Sequence, residues 1–243
     1  MIAWREVHWP RPLAEPPLLG LLTRLASDGT RGTLVWEARA EAGRIRTLLG
    51  AAESDLRETE RLLPQFARGV AVTPLTMPRQ EADRCGRLRI RQRSLALNLT
   101  DTAPMLRALL GALASASGSK DVLVVQVVLG QALAPESVSK VIEDPTLTLW
   151  DKLLWGSRPA SGELRTRMRG KLSQYRFRAV VRIGVSARTS GQRMILVQRV
   201  LAAFRQLQSG GTRVDLISDR PNIVDEAKIP LRLPRRLTPA EAL

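Results

Sequence analysis

The stretch 171–218 constrains the fold more than any other part of this chain. Between residues 175 and 187 the sequence alternates with a period of two. Phe177, Ala179, Val181, Ile183 and Val185 share one parity, and Arg176, Arg178 and Arg182 share the other. Successive strand side chains point to opposite sides, so the spacing predicts a half-buried strand with a basic outer face. Ser190 stands where a helix N-cap is needed, ahead of Met194, Val197, Val200, Leu201 and Phe204 on one helical side. Gly210 and Gly211 end that helix, and residues 213–217 read as a closing strand.

Similar strand and helix signals recur upstream. Residues 18–26 predict a short amphipathic helix behind an extended arm rich in Trp and Pro. Residues 33–38 predict a strand. Ile45, Leu48, Leu49, Ala52, Leu56 and Leu63 fall on one face of a predicted helix over residues 40–63. Residues 70–75 return as a strand, which Pro74 and Pro78 mark as short or at an edge. Residues 87–99 predict a long strand whose apolar parity flips near Arg93 and Ser94, so a bulge or bend is expected there. Asp101 or Thr100 caps a helix with Met105, Leu106, Leu109, Leu110 and Leu113 as its buried stripe. Residues 121–129, apolar on both faces apart from Gln126, predict a central strand.

The expected fold class is therefore α+β. A ferredoxin-like β-α-β-β-α-β unit is joined to an additional β-α-β half-repeat, in an antiparallel or mixed sheet with helices on one face. The expected divisions are an N-terminal arm and short helix (1–32), the ferredoxin-like domain (33–130), a helical insertion (131–174), the half-repeat (175–218) and a linker (219–243). In the insertion, residues 146–155 read as a helix with Leu149, Trp150, Leu153 and Leu154, and Ser161 caps a second. At the end, Thr238, Pro239 and Glu241 have the spacing of a capping box. A helix starting there has no room before Leu243, so a further C-terminal domain is expected in the parent protein.

The formal charge is +15, with 38 basic residues against 23 acidic ones. Arginine supplies 33 of the 38. A GC-rich genome explains arginine in place of lysine but not the surplus over acids, which fits a polyanion partner. No run of about 18 apolar residues is present, so no membrane span is expected. One cysteine, Cys85, excludes an internal disulfide and a cysteine-based zinc cluster.

The sequence contains no G-x-x-x-x-G-K-[ST] loop and no G-x-G-x-x-G turn. His8, the single histidine, lies in the Trp/Pro arm, where a structural role is expected because a general base needs an orienting partner. Cys85 reads as a small buried residue. Glu41, Glu53 and Glu58 alternate with Arg44, Arg46 and Arg57 and read as charge pairs on a solvated helix. No catalytic residue, cofactor or metal is expected. The candidate nucleic-acid contacts are Arg165, Arg167, Arg169 and Lys171, running into Arg176, Arg178 and Arg182, with Arg87, Arg89, Arg91 and Arg93 as a weaker set. With only Tyr175 and Phe177 nearby, base stacking is poor, so binding through the phosphate backbone without sequence preference is expected.

Several segments carry a resemblance. They are Val7-His-Trp-Pro-Arg-Pro-Leu, Thr33-Leu-Val-Trp-Glu-Ala, Val127-Val-Leu-Gly, Phe177-Arg-Ala-Val-Val-Arg-Ile-Gly-Val, Arg213-Val-Asp-Leu and Leu237-Thr-Pro-Ala-Glu. Together they resemble the N-terminal region of actinobacterial type IV secretion or conjugative DNA-transfer ATPases of the HerA–FtsK superfamily. In that family a motor domain carrying the nucleotide loop follows this region. The resemblance implies a non-catalytic accessory domain that assists assembly or guides DNA. Its implied partners are DNA, a motor ATPase domain or type IV secretion components, and further copies of itself. Its implied location is the cytoplasm, at the inner face of the cell membrane. The rival expectation is a protein-interaction scaffold that uses Trp4, Trp9, Trp150 and Trp155 and binds no nucleic acid.

Overall fold

The computed structural model describes residues 2–10, 15–41, 43–91, 95–118, 120–137, 142–147, 149–230 and 235–242. In chain order the first part holds β1 (Ala3–His8), α1 (Glu15–Ser27), β2 (Leu34–Glu41), β3 (Arg44–Ala51), α2 (Glu53–Phe66) and β4 (Ala71–Pro74). There follow β5 (Arg84–Arg91), α3 (Ala103–Ala114), β6 (Val122–Leu133), α4 (Leu149–Trp155), α5 (Gly162–Leu172) and β7 (Arg176–Ser186). The chain closes with α6 (Ser190–Arg205), β8 (Arg213–Asp219), α7 (Asn222–Asp225), β9 (Arg235–Leu237) and α8 (Pro239–Ala242). The protein is α+β. The nine strands among the described residues form one antiparallel sheet in the order β4-β1-β3-β2-β6-β7-β5-β8, with β9 also pairing β7.

That order is a palindrome of topology. β1-α1-β2-β3-α2-β4 and β5-α3-β6-β7-α6-β8 follow the same element sequence. In each, the spatial order is fourth, first, third, second strand. The two second strands, β2 and β6, meet along eight paired residues, from Leu34 opposite Leu129 to Glu41 opposite Val122. β6 carries apolar residues on both faces, as a central strand must. Leu123, Val125 and Leu129 face the main core with Leu34, Leu49, Phe177 and Ile183, beneath α1, α2, α3 and α6. The halves differ where β2 and β3 are joined by a tight hairpin, while α4 and α5 are inserted between β6 and β7.

Several expectations need correction. The predicted helix over residues 40–63 is β3 followed by α2. Its spacing fits a helix, but Gly43 at φ +72° turns the chain and Arg44–Ala51 pairs with both β2 and β1. Residues 33–129 therefore hold seven elements rather than one β-α-β-β-α-β run, because β1 and α1 belong to the first run. β7 and β8 are not neighbours; β5 lies between them, so the predicted half-repeat extends the common sheet. The predicted strand over 87–99 begins at Arg84 and ends at Arg91, and the expected bulge at Arg93 and Ser94 lies outside the described residues. α6 is capped by Thr189, whose hydroxyl accepts from the Gln192 amide at 3.2 Å, rather than by Ser190. Met194 on α6, and Leu106 and Leu110 on α3, are exposed rather than part of a buried stripe. Other readings hold: β4 is a short edge strand, β6 is central, and Ser161 caps α5.

The sheet face opposite the main helices has its own cover, made by residues 77–82 and by α7 with its flanks. Under it runs a buried ionic chain. Arg46 pairs with Glu6 at 3.0 Å and Glu41 at 2.6 Å, Arg39 with Glu37 at 3.0 Å and Glu41 at 3.1 Å, and Arg79 with Glu37 at 2.7 Å. Glu41 and Arg46, expected on a solvated helix, are thus buried strand residues. Burying these charges is tolerable because each is matched and hydrogen-bonded. Trp4 lies over Gly50, where an added Cβ would approach its ring at 2.8 Å, and the Arg79 guanidinium stacks on Trp4 at 3.9 Å. Trp9 stacks on Trp36 at 6.0 Å. Neither Trp4 nor Trp9 is an exposed docking point.

Candidate functional site

The seven sequence-derived contacts do not form one surface. Arg165 and Arg169 are exposed on α5, and Arg178 is exposed on β7. Arg167 is half-buried and donates to the Gly210 carbonyl at 2.8 Å and the Ser209 hydroxyl at 2.5 Å. Lys171 is buried and ion-paired with Glu241 at 2.9 Å. Arg176 is fully buried, donating to the Ala134 carbonyl and pairing with Glu136 at 3.0 Å. Arg182 is 2% exposed. The strand face that reads as basic and outward is thus largely an inner face: the chain at 223–228 covers Arg182, and Arg176 is engaged by the Ala134 carbonyl and Glu136. Period-two alternation distinguishes two faces but does not say whether a second layer covers the polar one.

An open basic surface exists nearby, on the uncovered part of that same sheet face. Arg89 and Arg91 project from β5, with Asp215 and Arg213 directly across on β8. Arg178 of β7 lies directly opposite Arg236 of β9. All five arginines are exposed. The acids among them are few: Asp215 takes both Arg91 at 3.1 Å and Arg213 at 3.0 Å, and Glu136 lies 3.7 Å from Arg236. The two guanidiniums beside Asp215 hold its carboxyl below the usual carboxylate range against the opposing effect of burial, the largest single influence on it. Five cations against two carboxylates on one face give a local positive field suited to a polyanion. The strand alternation of Arg89 and Arg91 is visible in sequence. The contributions of Arg213 and Arg236 come only from cross-strand register.

Arg182 sits apart from this open area. It donates to Gln126 Oε1 at 2.8 Å and to the carbonyls of Ile223 at 3.2 Å and Lys228 at 2.6 Å, and its buried Nε–H has no acceptor. Cys85 is buried on the same face, and burial pushes its thiol up to about 12. A thiol so hard to ionise is a poor nucleophile. His8 contacts the Thr73 hydroxyl at 3.0 Å on the exposed edge. Among the described residues no cluster of three or more His, Cys, Asp or Glu side chains is placed to hold a metal.

The insertion presents a different surface. Trp150, Leu153, Leu154 and Trp155 of α4 are 70–83% exposed. No helix among the described residues is long and apolar enough to cross a membrane. Comparison of the chain with family models, with curated proteins and with solved structures finds no match.

Proposed function

We propose that this chain is a non-catalytic accessory domain of a DNA-transfer motor, and that it holds DNA by its phosphate backbone. The observation that supports this reading is the open basic face of β5, β7, β8 and β9, where Arg89, Arg91, Arg178, Arg213 and Arg236 meet two carboxylates, Asp215 and Glu136, among the described residues. Arg165 and Arg169 of α5 add exposed charge, whereas Lys171, Arg176 and Arg182 are engaged inside the protein. Among the described residues that face exposes no aromatic ring, which suits sequence-independent contact. On this reading each half of the sheet is a ferredoxin-like unit, and the two units joined through β2 and β6 form a rigid platform for the basic face. The partners are DNA and a motor or secretion component on the cytoplasmic side of the cell envelope.

The test is binding to single- and double-stranded DNA across a salt series. The expected slope of log affinity against log salt corresponds to about five phosphates. Replacing both Arg89 and Arg178 with Gln lowers that slope by about two phosphates and leaves folding intact. Absence of binding at low salt, or a slope unchanged by the replacement, refutes the reading. A second reading is favoured by one specific feature. The exposed Trp150, Leu153, Leu154 and Trp155 form an apolar patch of the kind that anchors protein interfaces. Here the protein is an interaction scaffold and its arginines solvate it. Loss of partner capture or self-association on Trp150→Ala with Trp155→Ala, without DNA binding in the parent chain, selects this second function.

A further inference from the structure

On the covered sheet face the buried arginines follow a rule that Arg182 breaks. Arg39, Arg46 and Arg79 each have one or two glutamates within 3.1 Å. Arg182, equally buried, has only a side-chain amide and two backbone carbonyls, and one of its N–H groups has no acceptor. Directly across the β5–β7 ladder stands another arginine, Arg87. Like charges facing each other across a ladder destabilise it unless an anion lies between or beside them. Asp219 lies 3.9 Å from Arg87, and among the described residues no carboxylate forms an ion pair with Arg182.

The pair borders a cavity of about 240 Å³. Arg182 and Arg87 line it with Lys228 and Asp219, and Val180, Ile223, Ile229 and Pro230 supply an apolar wall. Arg87 and Lys228 are partly exposed at its rim, so it is reachable from solvent. Asp219 lies 3.9 Å from Arg87 and Glu226 4.0 Å from Lys228, so three cations face two carboxylates and one net positive charge is left, with Arg182 as the cation that no carboxylate pairs among the described residues. A phosphate monoester carries about −1.5 to −2 at neutral pH and offers three acceptor oxygens. A volume of this size holds that group with a small apolar substituent and not a whole dinucleotide.

We propose that this cavity is a binding site for a phosphate monoester, with Arg182 as its fixed charged floor and Arg87 and Lys228 as the contacts that close on the phosphate. The apolar substituent lies along Ile223, Ile229 and Pro230. The site is separate from the basic face assigned above to DNA, although Arg87 borders both. Its ligand is either a small phosphorylated molecule or the terminal phosphate of a nucleic acid strand, which share this chemistry.

The experiment is calorimetric titration of the full chain at constant ionic strength with phenyl phosphate, inorganic phosphate and phenyl sulfonate. A 5′-phosphorylated dinucleotide and its dephosphorylated form complete the series. Saturable one-to-one binding of phenyl phosphate is expected, weaker for the sulfonate. Arg87→Gln and Lys228→Gln, both at the rim, each weaken it about tenfold, the loss of one charge-assisted contact. Arg213→Gln, on the open face, leaves it unchanged. Preference for the phosphorylated dinucleotide over phenyl phosphate identifies a strand end, and the reverse identifies a small molecule. No saturable binding, or binding equally strong with phenyl sulfonate and insensitive to both rim variants, overturns the proposal. Because the open-face pair Arg89→Gln with Arg178→Gln tests the DNA reading, failure of one site leaves the other standing.

Discussion

Replacing Glu241 with Gln is the most informative single perturbation of this fold. The Glu241 carboxylate accepts from Lys171 Nζ at 2.9 and 3.0 Å, from the Leu97 amide at 2.9 Å and from the Thr238 amide at 3.0 Å. It joins α8, the end of α5 and the chain leaving β5, and both Lys171 and Glu241 are at most 3% exposed at their side chains. At this separation and an effective dielectric of about 20, the gross attraction is about 6 kcal/mol. Desolvation offsets part of this, and breaking a buried pair by removing one charge costs about 3–5 kcal/mol. Gln keeps the shape but leaves the ammonium without a counter-charge and sets an amide donor against the Thr238 amide or the Lys171 ammonium. For a domain of this size the loss lowers the melting temperature by about 6–20 °C. Lys171→Met leaves the carboxylate buried and is comparably costly. The double variant restores charge balance, so it is at least about 2 kcal/mol more stable than the sum of the single losses. Thermal and urea unfolding of the four proteins measure this. Simple additivity, or a loss below about 1 kcal/mol for Glu241→Gln, refutes the account of a closed ionic tie.

Burial also pushes the Lys171 ammonium below the usual lysine range, against the pull of Glu241. The unfolded chain then binds the extra proton up to about pH 10.4, so this group's contribution to stability rises with pH just below that value. Lys171→Met removes that rise, as pH-dependent unfolding shows. Cys85 has the opposite sign: its thiol is raised to about 12 in the fold. Its contribution is complete below about pH 8.5 and is lost as pH climbs toward the folded value. A thiol reagent at pH 8 reacts with Cys85 only as the protein unfolds, and rapid labelling of the native protein refutes this. Gln126 joins Glu37 at 2.7 Å to Arg182 at 2.8 Å inside the sheet. Gln126→Leu removes one hydrogen bond from each, while Arg39 and Arg79 still pair with Glu37 and the Ile223 and Lys228 carbonyls still accept from Arg182, so the cost is about 1–3 kcal/mol by urea unfolding, and unchanged stability counts against the buried network. Gly50→Ala drives a methyl into the Trp4 ring and costs about 1–3 kcal/mol, read as a fall in melting temperature with altered tryptophan fluorescence.

Local pattern was informative where one physical signal decided the outcome. The alternation of 175–187 marked β7, the two-faced apolar run of 121–129 marked β6 as central, and the Thr238 and Glu241 spacing marked the capping box of α8, with Glu241 N donating to Thr238 Oγ1 at 3.3 Å, although a helix there was expected to lack room and the short α8 forms. The error at 40–63 has an equally specific cause. Ile45, Leu48, Leu49 and Ala52 satisfy helical spacing, yet Leu48 and Leu49 are both buried because β3 is covered on both faces. A strand buried on both sides loses the alternation that identifies it.

The sequence by itself determined the α+β class, the surplus of positive charge, the burial of Cys85 and the approximate spans of β4, β6, β7 and α6, because propensity, capping and periodicity act within a few residues. Only the tertiary structure decided that β5 inserts between β7 and β8, that β2 meets β6 to join two halves of like topology, and which arginines face solvent. Those outcomes depend on contacts between residues far apart in the chain. Arg182 is held by the carbonyls of Ile223 and Lys228, more than forty residues away in sequence, and no local pattern could show that.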